Sequence, residues 1–353
     1  MRLHINYCYI VAFSSMLTGC TPAPQLHLHA THFDAMPGWE SDDHAQALKV
    51  LRRSCAAIQE QPGEAWIGNG KLQARATAWQ EICDMAESIT PAQAREFFEA
   101  HFTPFTAGGD GLFTGYYEPV LHGARKRHGH YQTPVYHLPW DVQAGIPYYS
   151  RAEIDRGALK HRKLELLWVN DPVMLFFAQV QGSARVKLAD GGTVRIGYAG
   201  KNNQPYVAIG KILKESGELE EINFFTLRQW LYAHPAQAKK IMERNPSYVF
   251  FRELPKKDGP LGAEGVPLVP ERSLAVDARL IPYGMPLFVQ TALPDGGAFH
   301  QLMIAQDTGG AIKGPVRGDI FFGAGTQAEA LAGMMKSRGT YVLLVPNSIA
   351  TGL

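Results

Sequence analysis

Residues 273–323 hold four aspartates among short apolar runs and glycines, and three of them, Asp277, Asp307 and Asp319, lie in the motifs that decide the fold. The segment contains Ser273-Leu-Ala-Val-Asp277, Ile281-Pro-Tyr-Gly-Met-Pro-Leu287, Gln306-Asp-Thr-Gly-Gly-Ala-Ile-Lys-Gly314 and Arg317-Gly-Asp-Ile-Phe-Phe-Gly323. Apolar runs bounded by Gly and Pro predict strands joined by tight turns. A lone aspartate often only caps a turn through nearby backbone N–H groups. Here Asp277, Asp307 and Asp319 each end a strand-like run or lie beside glycine, so all three can face one cleft.

The rest of the chain alternates between helical and β-rich patterns. Helical apolar spacing over 41–61 and 68–89 predicts two amphipathic helices, and a capping box at Thr90 starts a third through Phe102. Segment 108–147 favours strands and loops, and 168–198 favours a hairpin that includes 173–180. Helices are predicted at 206–216, at 226–244 with a break near Pro235, and after a capping box at Thr326.

The predicted fold is therefore mainly β with flanking helices. Strands at 273–276, 287–291, 299–306 and 341–345, with Gly and Pro turns between them, favour a small closed barrel. The pattern leaves open whether the two β-rich stretches form one barrel or two.

Composition excludes several classes of protein. The chain has 353 residues, with 34 Lys and Arg against 33 Asp and Glu, and it is 46% hydrophobic. A net charge of +1 provides no basic field of the kind that attracts nucleic acid, so no nucleic-acid partner is expected. The length favours about two domains. The Cys and His spacings match no zinc pattern, so no metal is expected.

The first twenty residues resemble a bacterial lipoprotein signal. Arg2 precedes a short apolar stretch, and Leu17-Thr-Gly-Cys20 resembles a lipobox. The prediction is a signal peptide at 1–19, a lipid on Cys20 and a tether over 20–40. Thr21 after the cysteine favours the outer membrane by this resemblance, so the protein would face the periplasm. Cys55 and Cys83 would then remain; they could pair in an oxidising compartment or lie apart as small core residues.

Collinear motifs along nearly the whole mature chain resemble the membrane-bound lytic murein transglycosylase A family. Besides the three aspartates, which resemble its "3D" domain, the matching motifs are Phe113-Thr-Gly-Tyr-Tyr-Glu-Pro119, Val180-Gln-Gly-Ser183, Tyr198-Ala-Gly-Lys-Asn202, Asn245-Pro-Ser-Tyr-Val-Phe-Phe251 and Val266-Pro-Leu-Val269. The resemblance implies a discontinuous catalytic domain, 41–120 plus 246–346, with a double-psi β-barrel. A second β-rich domain, 121–245, would be inserted into it, with the substrate groove between the two.

The resemblance also implies the chemistry. Family members cleave the β-1,4 bond between N-acetylmuramic acid and N-acetylglucosamine without water and leave a 1,6-anhydro end. One carboxyl can suffice because the muramoyl C6 hydroxyl is the nucleophile, whereas ordinary glycosidases need two. Asp319 matches the acid/base, Asp307 its supporting acid, and Asp277 is expected to be structural. No cofactor is implied.

Substrate-binding residues are expected along the groove, where aromatic and neutral polar groups suit amide-bearing sugars. The candidates are Tyr116, Tyr117, Glu118, Gln181, Ser183, Tyr198, Lys201, Asn202 and Lys313. The expected partners are peptidoglycan glycan strands and the outer membrane, with wall-synthesis enzymes left open. Two alternatives also stay open: a hydrolase that uses Asp307 and Asp319 as a pair on water, and a non-catalytic peptidoglycan-binding lipoprotein.

Overall fold

The computed structural model describes residues 26–255 and 259–353. Its helices are α1 His44–Gln59, α2 Ala76–Ser88, α3 Ala94–His101, α4 Arg151–Asp155, α5 Pro172–Gln181, α6 Ile209–Glu215, α7 Phe224–Ala233, α8 Pro235–Glu243, α9 Thr326–Met334 and α10 Asn347–Ala350. Its strands are β1 His29–Ala30, β2 Trp66–Ile67, β3 Ala74–Arg75, β4 Phe102–Thr106, β5 Gly111–Glu118, β6 Val120–Ala124, β7 Thr133–Tyr136, β8 Glu165–Val169, β9 Ser183–Leu188, β10 Thr193–Lys201, β11 Val249–Leu254, β12 Ser273–Ala275, β13 Pro286–Ala292, β14 Ala298–Asp307, β15 Arg317–Ala324 and β16 Lys336–Pro346.

Six strands close into a barrel, in the order β16, β13, β14, β12, β15 and β5, with β5 pairing back to β16. Alternate apolar side chains such as Phe113, Ile304 and Ile320 are buried, and α1, α2 and α3 contribute to the same core. β4 and β1 extend the sheet beyond β16. This closed six-stranded arrangement is consistent with the predicted double-psi barrel and supports mixed sheets flanked by helices.

A second sheet lies beyond the end of β5, in the order β11, β10, β9, β6, β8 and β7. Only Pro119 separates β5 from β6, so the chain passes directly from the barrel into this sheet. β11 pairs with β10, Arg195 lying opposite Leu254. The predicted return to the first domain at residue 246 is therefore wrong: residues 249–254 complete the inserted sheet.

The predicted hairpin over 168–198 is wrong in its first half, because residues 172–181 form helix α5. Asp171 caps this helix by accepting hydrogen bonds from the N–H groups of Val173 and Met174, and Pro172 occupies its first turn. Leu175 packs into the core of the second sheet, whereas Phe176 packs into a helical cluster with α6, α7 and α8. Since α5 is buried on two sides, it lacks the amphipathic period that would have revealed a helix.

Other helix predictions hold with adjusted ends. α7 and α8 divide at Pro235, as predicted, and α9 ends before Gly339. The capping box at Thr326 is wrong, because Gly325 is the N-cap and Thr326 is already helical. The predicted second helix begins only at residue 76, since a short strand precedes it.

The tether prediction is only partly testable. The signal at 1–19, Cys20 and residues 21–25 lie outside the described residues. From residue 26 the prediction of a tether is wrong: His29 lies opposite Thr106 in the sheet, and Trp39 is buried with only 1% of its surface exposed. The aromatic ring of Trp39 packs edge-on against Phe288 of β13.

Cys55 of α1 and Cys83 of α2 form a disulfide, which joins the two helices that cover one side of the barrel. This observation resolves the alternative that the sequence left open. In the described ranges, no helix is both long and apolar enough to cross a membrane.

Candidate active site

Asp307 and Asp319 lie on the two strands that flank β12. Ala275 of β12 is opposite Asp307 of β14 on one side and opposite Asp319 of β15 on the other. Residues opposite each other point to the same face of a sheet, and two strand spacings separate the aspartate backbones by about 10 Å. Ala275 is small, so it leaves space between the two carboxylates. The topology thus brings together two acids that are twelve positions apart in the chain.

A β-bulge aims Asp307 at this space. Leu274 pairs with Ala305, but Ala275 pairs with Asp307, so Gln306 is an extra residue in β14. The Gln306 side chain turns into the core, where it bonds to Ser273 and Ser54 at 2.6 and 2.9 Å. Gln306 therefore anchors the strand while its neighbour faces the cleft.

The Asp319 carboxylate accepts a hydrogen bond from the hydroxyl of Thr114, its register partner on β5. That hydroxyl in turn accepts a hydrogen bond from Arg317 Nη2 at 2.7 Å. Burial raises the pKa of Asp319 to about 6; the charge of Arg317 and the Thr114 bond oppose this shift, and the charge of Asp307 adds to it. A carboxyl with a pKa near 6 can both donate and accept a proton close to neutral pH.

Asp307 is held by three donors. The hydroxyl of Tyr116 donates to Oδ2 at 2.8 Å, and the N–H groups of Ala263 and Thr308 donate to Oδ1 at 2.9 and 2.8 Å. Burial raises the pKa of Asp307, while these bonds lower it. Burial and the charge of Asp307 raise the pKa of Tyr116 well above its usual value, so the phenol stays a donor. Asp307 is thereby fixed in one orientation.

Tyr116 forms the floor of the site. It clusters with Leu268, Ala275 and Phe321, its ring centroid is 5.2 Å from that of Phe321, and only 8% of its surface is exposed. The predicted contact of Tyr116 with substrate stays a prediction, and the structure adds a supporting role for this residue. Its ring is covered by protein and its hydroxyl is committed to Asp307.

Three further predicted substrate-binding residues are buried in the framework, so the prediction of direct contact is wrong for them. Tyr117 donates to Glu329 at 3.1 Å. Glu118 has no exposed side-chain surface and pairs with two arginines of the second sheet. Asn202 is fully buried and donates to the carbonyl oxygens of Tyr149 and Pro246, both at 2.8 Å. These residues join elements together.

Of the remaining candidates, Ser183 is buried and the other four lie nearer the surface. Ser183 is 7% exposed, and Gln181 accepts a hydrogen bond from the N–H of Tyr117 at 3.0 Å. Tyr198 is half exposed, and Lys201 and Lys313 are exposed. The predicted contacts of all five residues with substrate stay a proposal.

Asp277 lies apart from this pair, in an ion pair. Its carboxylate contacts Arg279 at 2.6 Å and accepts the N–H of Gly314 at 2.9 Å. Burial alone would raise the pKa of Asp277, but the bonds from Arg279 and Gly314 overcome it and lower the pKa to about 2. Asp277 is thus a permanent anion that fixes the loop carrying Lys313, in agreement with the expected structural role.

Sequence reasoning missed Thr114, Arg317 and Ala263 as parts of the site. Arg317 lies two positions before Asp319 on β15, so the alternation of strand side chains places both on one face. That signal could have identified Arg317. Thr114 and Ala263 come from distant parts of the chain, and only the tertiary fold brings them to the aspartates.

Comparison with known proteins agrees with this architecture. Residues 112–252 match the family model described as the MltA specific insert domain, and residues 272–345 match the 3D domain. A crystal structure of membrane-bound lytic murein transglycosylase from Agrobacterium tumefaciens superposes with a TM-score of 0.84 at 33% identity, covering 92% of this chain and 99% of that one. The chain belongs to the MltA family.

Two Escherichia coli matches extend the comparison. Membrane-bound lytic murein transglycosylase A of strain K12 is 38% identical over 242 residues, which cover 65% of this chain and 64% of the relative. The alignment thus spans just under two thirds of that relative's length. The crystal structure of E. coli MltA with bound chitohexaose has a TM-score of 0.69 at 29% identity and covers 91% of this chain and 94% of that one.

The two MltA family regions meet at the candidate site. Asp307 and Asp319 belong to the 3D region, whereas Thr114 and Tyr116, which contact them, belong to the insert region. No group of three or more His, Cys, Asp or Glu side chains suited to a metal occurs in the part of the chain that the structure describes.

Proposed function

We propose that this MltA family member is a peptidoglycan lytic transglycosylase that cleaves the β-1,4 bond between N-acetylmuramic acid and N-acetylglucosamine and leaves a 1,6-anhydromuramoyl end. The observation that carries this proposal is the contrast between the two aspartates. Asp319 has a single side-chain hydrogen-bond donor and a pKa of about 6, whereas Asp307 is held by three donors. One carboxyl is therefore equipped to exchange protons, which suits a substrate that carries its own nucleophile.

In this mechanism the protonated carboxyl of Asp319 donates its proton to the glycosidic oxygen as the bond to the muramoyl C1 breaks. The resulting carboxylate then takes the proton of the C6 hydroxyl, and O6 forms the new bond to C1. Asp319 ends protonated, as it began, and no water is consumed. The nearby carboxyl of Asp307 raises the pKa of Asp319 and, when ionised, stabilises positive charge developing at C1.

A hydrolase using both aspartates is the alternative that this contrast disfavours, because the second carboxylate would have to activate water or attack C1. Digestion of purified sacculi followed by mass spectrometry separates the two reactions. Transglycosylation gives products lighter by one water than hydrolysis does. Hydrolysed muramoyl ends would contradict the proposal.

The decisive variant is Asp319→Asn, with Asp110→Asn in an exposed loop as the matched control. Loss of a general acid typically costs 10²–10⁴-fold, so we expect release of anhydro-muropeptides to fall by about a thousandfold while the control is unchanged. The activity of the wild-type protein should also fall as the pH rises through about 6, because the acid form of Asp319 is lost. Undiminished release by Asp319→Asn would exclude this assignment.

We also propose that the protein is attached to the outer membrane on its periplasmic face through lipid on Cys20, and that it meets glycan strands there. The lipobox-like Leu17-Thr-Gly-Cys20 and the membrane-bound relatives support this. Two or more acyl chains anchor a protein stably, whereas one is marginal. Labelling with radioactive palmitate and membrane fractionation test it: Cys20→Ala should lose both the label and the membrane association. An unlabelled wild-type protein would contradict it.

A further inference from the structure

A cavity of about 410 Å³ lies away from the two aspartates, where the inserted sheet meets the barrel. Its lining consists of Val120, Arg185, Lys187, Thr193, Ala324 and Gly325. Ala324 ends β15, the strand that carries Asp319 five positions earlier. At the rise of an extended strand, the cavity is about 15 Å along the barrel from the acid/base.

The cavity is lined by one face of the inserted sheet. Arg185 lies opposite Arg195, Lys187 lies opposite Thr193, and Val120 of β6 lies opposite Arg185. Residues opposite each other share a face, and so do alternate residues along a strand. The three cationic side chains therefore lie on the face that opens into the cavity.

Positive charge is in excess there. Glu118 contacts Arg185 at 2.6 Å and Arg195 at 2.7 Å, so two guanidinium groups share one carboxylate. Lys187 is exposed and has no ion-pair partner among residues 26–255 and 259–353. The Arg195 side chain is only 10% exposed, and its buried Nη1 finds no hydrogen-bond acceptor in the described chain.

The helix α9 adds to this charge. Gly325 lines the cavity and is the N-cap of α9, a helix of nine residues, but it has no side chain to cap the first turn. The free N–H groups of that turn carry partial positive charge. Glu329, the acid in this turn, is paired with Arg228 at 2.7 Å.

We propose that this cavity binds a carboxylate of the peptidoglycan stem peptide while the glycan lies at Asp307 and Asp319. The inference rests on the proposed function, because it takes peptidoglycan as the substrate. A stem of four or five residues spans about 13–18 Å when extended, which matches the distance from the cavity to Asp319. The cavity would then distinguish peptide-bearing glycan from bare glycan.

Binding in an Asp319→Asn background tests the proposal without turnover. The probes are a disaccharide tetrapeptide muropeptide, the same muropeptide with its carboxyls amidated, and peptide-free chitohexaose. Lys187→Gln removes one exposed charge of the cavity, and Lys211→Gln, on the exposed side of α6, is the matched control. We expect Lys187→Gln to weaken binding of the free-carboxyl muropeptide about fivefold, and Lys187→Glu to weaken it further.

Binding of chitohexaose should be the same in all variants, and the amidated muropeptide should bind wild-type and Lys187 variants equally. The difference in affinity between the free-carboxyl and the amidated muropeptide should become smaller at high salt, because salt screens exposed charges. The proposal would be overturned if the Lys187 variants bound chitohexaose as much more weakly as they bind the free-carboxyl muropeptide. It would also be overturned if they bound the free-carboxyl muropeptide as tightly as the protein with Lys187 does. Its failure is separate from that of the proposed function, which the sacculus digestion tests with the wild-type protein.

Discussion

Asp319 and Asp307 are the same residue type on neighbouring strands, yet their surroundings give them different chemistry. Asp307 receives hydrogen bonds from Tyr116, Ala263 and Thr308, whereas Asp319 receives one from Thr114. Both carboxyls have a raised pKa because of burial. The number of donors therefore separates a carboxyl that is held in one orientation from one that is freer to exchange protons.

Because the pKa of Asp319 is raised in the folded protein, we expect the ionised form of Asp319 to lower the free energy of unfolding at neutral pH. In the unfolded chain this carboxyl ionises near its ordinary pKa of 3.8, and in the folded chain at about 6. The contribution of Asp319 to stability is thus fully present below pH 3.8 and is lost as the pH rises through about 6. Asn cannot ionise, so Asp319→Asn should be more stable than wild type by roughly 3 kcal/mol at neutral pH, and the gain should be small at low pH. Urea unfolding at both pH values measures the difference, and a gain that is largest at low pH would refute this reasoning.

At the scale of elements, the site depends on helices that hold the barrel strands from outside. Ser54 of α1 receives a hydrogen bond from Gln306, the residue before Asp307, and donates one to Glu264 at 2.7 Å. Glu264 follows Ala263, whose N–H bonds to Asp307. Burial raises the pKa of Glu264 to about 8, so this side chain is largely neutral at pH 7. α1 therefore supports both the strand and the loop that orient Asp307.

The disulfide between α1 and α2 should stabilise this support. Cys55 and Cys83 are 28 positions apart in the sequence. A disulfide that closes a loop of this length lowers the entropy of the unfolded chain and so raises the free energy of unfolding by about 3 kcal/mol. The double variant Cys55→Ser with Cys83→Ser should lose about that much free energy of unfolding in urea. Reductant should destabilise the wild-type protein and leave the double variant unchanged. Equal sensitivity of both proteins to reductant would contradict this prediction.

The packing of α9 on β5 should depend on Gly115. A Cβ at this position would lie 2.6 Å from the ring of Phe322 and 2.8 Å from the backbone of Ala332. Gly115→Ala should therefore push α9 outward and destabilise the protein by about 1–3 kcal/mol, as overpacking does. Gly192→Ala is the control for a glycine-to-alanine substitution without overpacking, because a Cβ there would lie 3.6 Å from the nearest atoms. Thermal unfolding compares the two, and equal melting temperatures would show that this contact is not tight.

For the whole molecule, Glu118 joins the two sheets. It ends β5 in the barrel, opposite Ala324, and its buried carboxylate contacts Arg185 and Arg195 of the inserted sheet. The predicted inserted domain begins at this junction, although its far boundary lies at β11 instead of residue 246.

Removing this buried charge should therefore be costly. Glu118→Gln leaves two guanidinium groups without a counter-charge, so we expect a loss of about 3 kcal/mol in the free energy of unfolding. Arg125→Gln breaks the ion pair with Glu253, in which both side chains are more than 40% exposed, and should cost less than about 1 kcal/mol. Urea unfolding compares the two variants; similar small losses would show that Glu118 is dispensable for the junction.

Local sequence determined much of this protein, because turns, caps and short strands depend on neighbouring residues. The barrel strands β12, β13, β14 and β16, the break at Pro235 and the pair Asp307 and Asp319 were predictable from such patterns and from the family resemblance. The helix α5 was not, because burial on two sides removes the amphipathic period. Tertiary structure alone decided that Glu118 and Asn202 are buried, that residues 26–41 join the barrel, and that Thr114 and Ala263 reach the aspartates. Burial, partners and pKa values depend on which distant segments meet, and one-dimensional spacing does not contain that information.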